Sequence, residues 1–306
     1  MLRIAAVCTV FALFLTACGG SGDPSAEEAA NQMADVHEGD QPDATGATAA
    51  PAVPVTGQPV SYHTTEGGTE VQGYGAAPAS PDSLLEARGL DPRTASLPGI
   101  VVIHEWWGLN DNIRRATRRL AGEGYRALAV DLYGGESAEA PSGARELMQA
   151  AMEDRSAVRT NLTAAHTFLR DERGASRTAV MGWCFGGGMT LEAAVQEPER
   201  WNGAVIYYGS VGDVTEAQLE PIAFPILGHF GSEDGNIPVE DVRRFETMLD
   251  DLGKEAAIHV YDGAGHAFAN PSGTRYDAEA AATAWDRTTA FLQRTLYAPL
   301  QEEATN

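Results

Sequence analysis

The strongest constraint on the fold of this chain is a regular alternation of strand-like runs with helical periods from about Val60 onward. Short apolar runs rich in β-branched residues are typical of buried strands, and they lie at 100–106, 126–133, 177–183, 203–209, 224–231 and 256–262. Apolar residues recur at helical spacing between and after these runs, at 110–123, 144–170, 185–196, 238–252 and 276–297. This alternation predicts an α/β fold, a mainly parallel, doubly wound sheet with helices on both faces. Ligands bind such sheets beyond the carboxyl ends of the strands.

The composition narrows the class of protein further. The 306 residues carry 43 acidic and 21 basic side chains, a formal net charge of −22, and 43% of them are hydrophobic. This hydrophobic share is that of a folded protein. The acidic balance argues against nucleic-acid binding, because phosphate contacts need a basic surface. An antiparallel hairpin predicted at 60–78 and the alternation after it favour one domain over residues 58–306.

The N-terminus has the pattern of an export signal. Arg3 precedes an uncharged apolar run at 4–17, which is shorter than the roughly 20 residues of a spanning helix. The run ends in LTAC at 15–18, which resembles the lipobox of bacterial lipoproteins. The resemblance implies a signal peptide over 1–17, lipidation of Cys18 and a lipid-anchored protein of the bacterial cell envelope, facing the periplasm or the cell surface. An ordinary signal peptide with an incidental Cys18 is the alternative.

Residues 18–57 are expected to form a disordered tether between the lipid and the domain. After Cys18 the segment has no aromatic residue and almost no large aliphatic one, so it cannot bury enough surface to offset the entropy of ordering. His37 lies within it and is expected to be inert. With Cys18 lipidated, Cys184 has no intramolecular partner, which excludes a disulfide scaffold.

Residues 182–186, Gly-Trp-Cys-Phe-Gly, stand between a predicted strand and a predicted helix. This is the G-x-nucleophile-x-G elbow of α/β-hydrolases with Cys184 in place of serine, so a serine-type esterase is excluded here. The glycines leave space for a strained turn, which presents the sulfur at a helix N-terminus where N–H groups favour a thiolate and an oxyanion. A buried structural cysteine in a glycine-rich turn is the alternative.

Asp234 and His266 each follow a later predicted strand. The chain order Cys184, Asp234, His266 is that of nucleophile, acid and base in an α/β-hydrolase. In such a triad the acid orients the imidazole and the imidazole activates the nucleophile. Taken singly, Asp234 is also explained as a turn or helix-capping residue and His266 as a surface-loop histidine. Their joint occurrence at strand ends favours the triad.

Glu105 ends the strand predicted at 100–106. A charge there is costly unless it is paired or functional, although a strand-end carboxylate in solvent is the alternative. His229 and His259 lie within apolar strands and are interpreted as core residues. No spacing typical of metal ligands emerges, and we expect neither a metal ion nor a cofactor to be required.

Together these segments resemble the dienelactone hydrolase family, the carboxymethylenebutenolidase-like α/β-hydrolases. The resemblance covers nearly all of 58–297, and its motifs are HEWWGLN (104–110), DLYGG (131–135), GWCFGG (182–187), the Asp234 loop and YDGAGHAF (261–268). It implies an α/β-hydrolase fold without a lid domain and a Cys-His-Asp triad. It also implies that Glu105 contacts the nucleophile, and that the backbone N–H groups of Trp106 and Phe185 form the oxyanion hole.

One departure from the family concerns the substrate. The enzymes that hydrolyse dienelactone hold the substrate carboxylate with two arginines, and this chain has Gly135 and Asn270 at the matching positions. Glycine and asparagine do not replace bidentate guanidinium groups, although Arg275 is a candidate substitute. We therefore expect an ester or lactone substrate other than dienelactone.

The expected reaction is hydrolysis of a small-molecule ester or lactone by a monomer that meets the membrane only through its lipid. Cys184 attacks the carbonyl, and a thioester acyl-enzyme forms and is hydrolysed. An apolar pocket is expected around the sulfur, shaped by Trp106, Trp107, Trp183 and Phe185. A non-catalytic envelope binding module on the same fold is the alternative. The absence of a C-x-x-C motif argues against a thiol redox protein.

Overall fold

The computed structural model describes residues 25–40, 42 and 49–305. The signal peptide predicted at 1–17 and the lipidation predicted at Cys18 lie outside these residues. Within the described part of the chain, no helix has both the length and the apolar character needed to cross a bilayer.

The described residues alternate between strands and helices. The strands are β1 (Val55–Thr64), β2 (Glu70–Pro78), β3 (Gly99–Ile103), β4 (Arg126–Ala129), β5 (Thr178–Trp183), β6 (Gly203–Tyr207), β7 (Ile226–Gly231) and β8 (Ala256–Tyr261). The helices are α1 (Ala26–Val36), α2 (Pro81–Ala87), α3 (Asp111–Gly122), α4 (Pro141–Glu153), α5 (Arg155–Thr167), α6 (Phe185–Gln196), α7 (Glu216–Leu219), α8 (Val239–Asp251), α9 (Ala278–Leu292) and α10 (Ala298–Thr305). Single turns of 3-10 or π-helix follow α5, α6 and α9, at Phe168–Glu172, Pro198–Arg200 and Gln293–Tyr297.

The strands form one sheet in the order β1-β2-β4-β3-β5-β6-β7-β8. Strands β3 to β8 run parallel, whereas β1 and β2 form an antiparallel hairpin whose second strand pairs antiparallel with β4. Strands β3, β5, β6 and β7 are buried at every position, as expected where helices cover both faces. The predicted α/β fold is confirmed, and the predicted hairpin is present at the sheet edge.

The helical period predicted at 144–170 is divided into two helices. Asp154 has φ −116° and ψ 62°, a non-helical conformation that ends α4. Its side chain accepts the backbone N–H of Ala157 and so caps α5. The apolar residues of both helices face the same core, so the pattern of burial continues across the break and does not reveal it.

Residues 25–40 differ most from the sequence prediction, because they form a helix and its extension where a tether was expected. Ser25 starts α1 with a capping box, and the helix lies against α4. Met33 is buried, as are His37 and Asp40 just beyond the helix. The segment has little apolar surface, and it is held by Met33, by the small Ala30 and by polar side chains.

Candidate active site

Cys184 occupies a strained turn between β5 and α6. Its backbone has φ 56° and ψ −119°, in the left-handed half of conformational space that side-chain-bearing residues rarely adopt. A Cβ at Gly182 would collide with the backbone of Gly186, and a Cβ at Gly186 would collide with the main chain of His104. The glycines of the elbow are therefore required by close backbone approach.

The thiol of Cys184 is buried and faces two backbone donors. The residue is 2% exposed, and the N–H groups of Phe185 and Trp106 donate hydrogen bonds to its sulfur. Burial, assisted by the charge of nearby Glu105, raises the pKa of the thiol well above its usual value, against the opposing effect of the two hydrogen bonds. The thiol is therefore protonated near neutral pH and needs a base before it can attack.

His266 and Asp234 form a buried pair beside this sulfur. Nδ1 of His266 lies 2.8 Å from Oδ2 of Asp234, and Nδ1 carries the proton because a carboxylate only accepts. The second oxygen of Asp234 accepts the backbone N–H groups of Asn236 and Ile237, which fixes the carboxylate. Nε2 of His266 has no hydrogen-bond partner among the described residues. A ring nitrogen of His266 lies within 4.8 Å of Sγ of Cys184, so the three residues predicted as a triad meet at one edge of the sheet.

Glu105 is a buried, paired carboxyl group at the end of β3. Asn270 donates Nδ2 to its Oε2 at 2.6 Å, and the hydroxyl of Tyr208 donates to its Oε1 at 3.4 Å. Burial raises the pKa of Glu105 to about 8, and the charge of Asp40 adds to this shift. Glu105 is thus not a solvated strand-end carboxylate, and in its ionised form it raises the pKa of the Cys184 thiol.

The two positions that lack the family's arginines are used for internal contacts. The backbone N–H of Gly135 donates to Oδ2 of Asp131 within the turn after β4. Asn270 is committed to Glu105 and accepts a further hydrogen bond from Nδ2 of Asn112 at 3.2 Å. Neither position offers a free cationic group.

The segment that contains His37 closes over the nucleophile. Sγ of Cys184 lies 3.2 Å from Sδ of Met33 and 3.8 Å from Nε2 of His37. The His37 ring stacks on Trp106 with centroids 4.7 Å apart. Burial lowers the pKa of His37 to about 4, so the imidazole is neutral near pH 7. The structure therefore brings to the thiol a histidine that the sequence analysis set aside.

Asp40 anchors this segment to the loop after β8. Its carboxylate accepts Nη2 of Arg275 at 2.8 Å, the N–H and hydroxyl of Thr274 at 2.8 and 2.6 Å, and Nδ1 of His37 at 2.7 Å. Burial alone would raise the pKa of Asp40, but these partners lower it to about 2. Arg275, the candidate substitute anchor, is thus paired with the protein's own carboxylate. The missed signal is the i, i+4, i+7 spacing of Met33, His37 and Asp40, which is that of one helical face, although the helix itself ends at Val36 and the last two residues lie in the turn that follows it.

A cavity of about 400 Å³ reaches the sulfur of Cys184. Trp106, Trp107 and Trp183, which were expected to shape the pocket around the sulfur, do not line this cavity. Trp183 lines a second cavity of about 190 Å³ that includes Glu105, and Trp107 is fully buried against Trp106, with ring centroids 4.8 Å apart. The tryptophans after β3 turn inward beneath His37. The cavity is lined by methionines and aromatic rings, among them Met33, Met148, Met152, Met189, Phe185 and Tyr208, and by polar and charged side chains that include Arg155, Arg159 and Glu192.

His229 has the structural role expected of a core histidine. It is fully buried, and its two ring nitrogens lie 2.9 Å from the hydroxyl of Tyr261 and 3.0 Å from that of Thr288. His104 is likewise fully buried, and its ring nitrogens contact main-chain groups of Glu105 and Leu132. Both side chains are satisfied by the core.

Comparison with known proteins agrees with the fold. The sequence profile of the dienelactone hydrolase family matches residues 85–296. A Saccharolobus solfataricus protein named "Putative carboxymethylenebutenolidase" is 31% identical over 231 residues, 64% of this chain and 88% of its own. An Escherichia coli K12 protein of that name is 31% identical over 232 residues, 71% of this chain and 84% of its own.

A solved structure extends the similarity to the backbone. The "Putative Dienelactone Hydrolase" of Klebsiella pneumoniae has a TM-score of 0.65 and 26% sequence identity, and the match covers 78% of this chain and 98% of that one. The profile match spans more than half of the present chain. The chain therefore belongs to the dienelactone hydrolase family and is an ester or lactone hydrolase with the α/β-hydrolase fold.

Proposed function

We propose that this hydrolase cleaves its substrate through a covalent thioester on Cys184, with His266 as the base and Asp234 as the residue that orients it. The observation that carries the proposal is the convergence of a thiol at a strained turn with an imidazole whose Nδ1 is held by a carboxylate and whose Nε2 has no partner in the part of the chain that the structure describes. These are the parts of a nucleophile–base–acid triad.

The first half of the reaction forms the acyl-enzyme. His266 takes the thiol proton as Sγ of Cys184 bonds to the carbonyl carbon, and the carbonyl oxygen becomes an oxyanion that accepts the N–H groups of Phe185 and Trp106. The imidazolium, stabilised by Asp234, gives its proton to the departing alkoxide as the carbon–oxygen bond breaks. A thioester and a free alcohol remain; with a lactone, the alcohol stays on the acyl chain.

The second half consumes water. His266 removes a proton from a water molecule as its oxygen attacks the thioester carbon, and the same two N–H groups stabilise the second oxyanion. The carbon–sulfur bond then breaks, the carboxylic acid leaves, and the proton held by the imidazole returns to the sulfur.

The free enzyme corresponds to a resting state of this cycle. The sulfur occupies the two N–H donors that the substrate oxygen needs, and burial keeps the thiol protonated. A bound carbonyl oxygen would take over these donors and turn Sγ toward His266. Activation of the nucleophile is thereby tied to substrate binding.

The substrate proposed here is a small ester or lactone without an obligatory carboxylate. Gly135 and Asn270 serve internal contacts, and Arg275 is paired with Asp40. Four methionines line part of the cavity at the sulfur, beside polar and charged side chains, and their flexible side chains adapt to apolar groups.

The N-terminal pattern supports a proposal about location. We propose that residues 1–17 direct export, that Cys18 carries the lipid, and that residues 58–306 act as a monomeric catalytic domain in the cell envelope. Metabolic labelling with a fatty acid should mark the wild-type chain and leave Cys18→Ser unlabelled. Labelling of Cys18→Ser would contradict the proposal.

Hydrolysis of p-nitrophenyl acetate tests the catalytic proposal. Cys184→Ala should lower kcat/KM by roughly 10³-fold or more, since loss of a triad member removes most of the catalysis. Cys18→Ser is the matched control, because it removes a cysteine far from the elbow in sequence, and it should keep full activity. Undiminished turnover in Cys184→Ala would refute the mechanism.

A further inference from the structure

Four metal-binding side chains from separate parts of the chain meet at the nucleophile. Ring nitrogens of His37 and His266 and the sulfur of Cys184 all lie within 4.8 Å of one another. The thioether of Met33 is 3.2 Å from the same sulfur. All four residues are at most 6% exposed. Of these four residues, the hydrolysis mechanism proposed above uses only Cys184 and His266. Met33 and His37 have no role in it.

Both imidazoles are oriented in the same way. Nδ1 of His37 lies 2.7 Å from Asp40, and Nδ1 of His266 lies 2.8 Å from Asp234. Each carboxylate fixes the proton on Nδ1 and leaves the Nε2 lone pair for another partner. Nε2 of His266 has none among the described residues, and Nε2 of His37 points at the thiol. Carboxylate–histidine pairs of this kind accompany metal-ligating histidines.

We propose that Cys184, His37, His266 and Met33 form a binding site for a thiophilic d¹⁰ cation, Zn²⁺ or Cu⁺. Thiolate, thioether and imidazole are the donors that such ions prefer, and four of them complete a tetrahedron. When the ion binds, the metal–sulfur bond forms, the thiol proton passes to solvent, and each imidazole coordinates through the lone pair of its Nε2.

The distances require only local adjustment. In a tetrahedral zinc site, sulfur and nitrogen ligands stand about 3.5 Å apart, and His37 Nε2 is already 3.8 Å from Sγ of Cys184. The ligand atoms of Cys184, His37 and His266 all lie within 4.8 Å of one another. The proposal requires side-chain rotation at the end of α1 to bring these atoms to ligand distances. Asp40 orients His37 as Asp234 orients His266. The loop at Thr274 and Arg275 holds Asp40 in place.

Metal binding is measured directly, apart from activity. The full chain with Cys8→Ser and Cys18→Ser, which removes the other two thiols, is stripped with a chelator. It is then titrated with Zn²⁺, and anaerobically with Cu⁺, against a chromophoric competitor. The expected result is one ion per chain. His37→Gln and Cys184→Ala should weaken binding at least tenfold, because even partners of the ligands are worth 10- to 100-fold in affinity.

Matched variants make the assignment specific. His63→Gln and Met248→Leu remove the same side-chain types at positions outside the cluster and the cavity, and should bind as the parent does. Met33→Leu should weaken Cu⁺ more than Zn²⁺, because a thioether is the softer ligand. Failure of both ions to bind the parent, or equal affinity in His37→Gln and the parent, would overturn the site.

The consequence for activity rests on the proposed function, whereas binding does not. One equivalent of ion should abolish ester hydrolysis by occupying the nucleophile, a chelator should restore it, and His37→Gln should resist inhibition. A metal-free parent that hydrolyses esters but binds no ion contradicts the metal site alone. A parent that binds one ion but has no hydrolytic activity after stripping contradicts the proposed function alone.

Discussion

Asn270 donates a 2.6 Å hydrogen bond from Nδ2 to Oε2 of Glu105, at one of the two positions where the family resemblance implied an arginine for the substrate. The amide also accepts from Asn112, so its polar atoms are used within the protein. Asn270 therefore orients the buried carboxyl group of Glu105 near the nucleophile, at a position where a substrate-binding residue was expected.

Substrate charge is the first property to test. Because no unpaired cation stands at Gly135 or Asn270, kcat/KM should be no higher for a p-nitrophenyl ester with a terminal carboxylate than for the neutral ester of equal length. Paired steady-state assays measure the ratio directly. A preference of tenfold or more for the charged ester would show that another group, such as Arg275 released from Asp40, binds the carboxylate.

The raised pKa of Glu105 predicts a pH-dependent contribution to stability. The carboxyl group has its ordinary pKa of 4.5 in the unfolded chain and a pKa of about 8 in the folded protein, so the folded state keeps a proton that the unfolded state loses. The contribution is fully present below pH 4.5 and is lost as pH rises through this window. Glu105→Gln should therefore gain in free energy of unfolding, relative to wild type, as pH rises.

Chemical denaturation at a series of pH values measures that gain. Exposed Glu86→Gln on α2 is the control, and its difference from wild type should stay constant. A difference for Glu105→Gln that stays flat or falls with rising pH would contradict the assignment of Glu105 as a buried, protonated group.

The docking of residues 25–40 depends on Asp40. Asp40→Asn removes the charge that pairs with Arg275 and binds Thr274. A hydrogen bond to a charged group contributes about 1.5–3 kcal/mol, so amide exchange in the last turns of α1 should accelerate by roughly tenfold or more. Hydrogen-exchange mass spectrometry measures this. Exposed Asp35→Asn on the same helix is the control, and equal protection in both variants would refute the anchoring role.

The elbow glycines give a stability prediction. Gly182→Ala would bring a methyl group into the backbone of Gly186, so we expect a loss of about 1–3 kcal/mol in free energy of unfolding or failure to accumulate as soluble protein. Gly235→Ala, where the added methyl meets nothing within 4 Å, should be nearly neutral. If the two variants are equally stable, the close approach at the elbow is not as described.

The fold and the meeting of Cys184, Asp234 and His266 were predictable because local signals determine them. β-Branched runs mark the strands, and parallel strands bring their carboxyl ends to one edge. The glycines at the elbow and the residues that follow β7 and β8 then fix where three side chains emerge. No long-range contact had to be known in advance.

The docking of residues 25–40 over the nucleophile was not predictable in the same way. Met33, His37 and Asp40 lie in a stretch without aromatic residues, and its docking depends on partners more than 230 residues away, Thr274 and Arg275. The residues that line the cavity at Cys184 were predicted wrongly for a related reason. Trp107 is buried beneath this segment, so its role depended on a contact that the sequence pattern did not indicate.

The most direct test of the account is detection of the acyl-enzyme on Cys184. After brief reaction with p-nitrophenyl acetate and an acid quench, intact-mass and peptide mass spectrometry should find one acetyl group on the peptide that contains Cys184. The adduct should be absent in Cys184→Ala and sensitive to hydroxylamine, as a thioester is. Rapid turnover by the wild-type enzyme with the acetyl group on another residue, or with equal turnover in Cys184→Ala, would contradict the account.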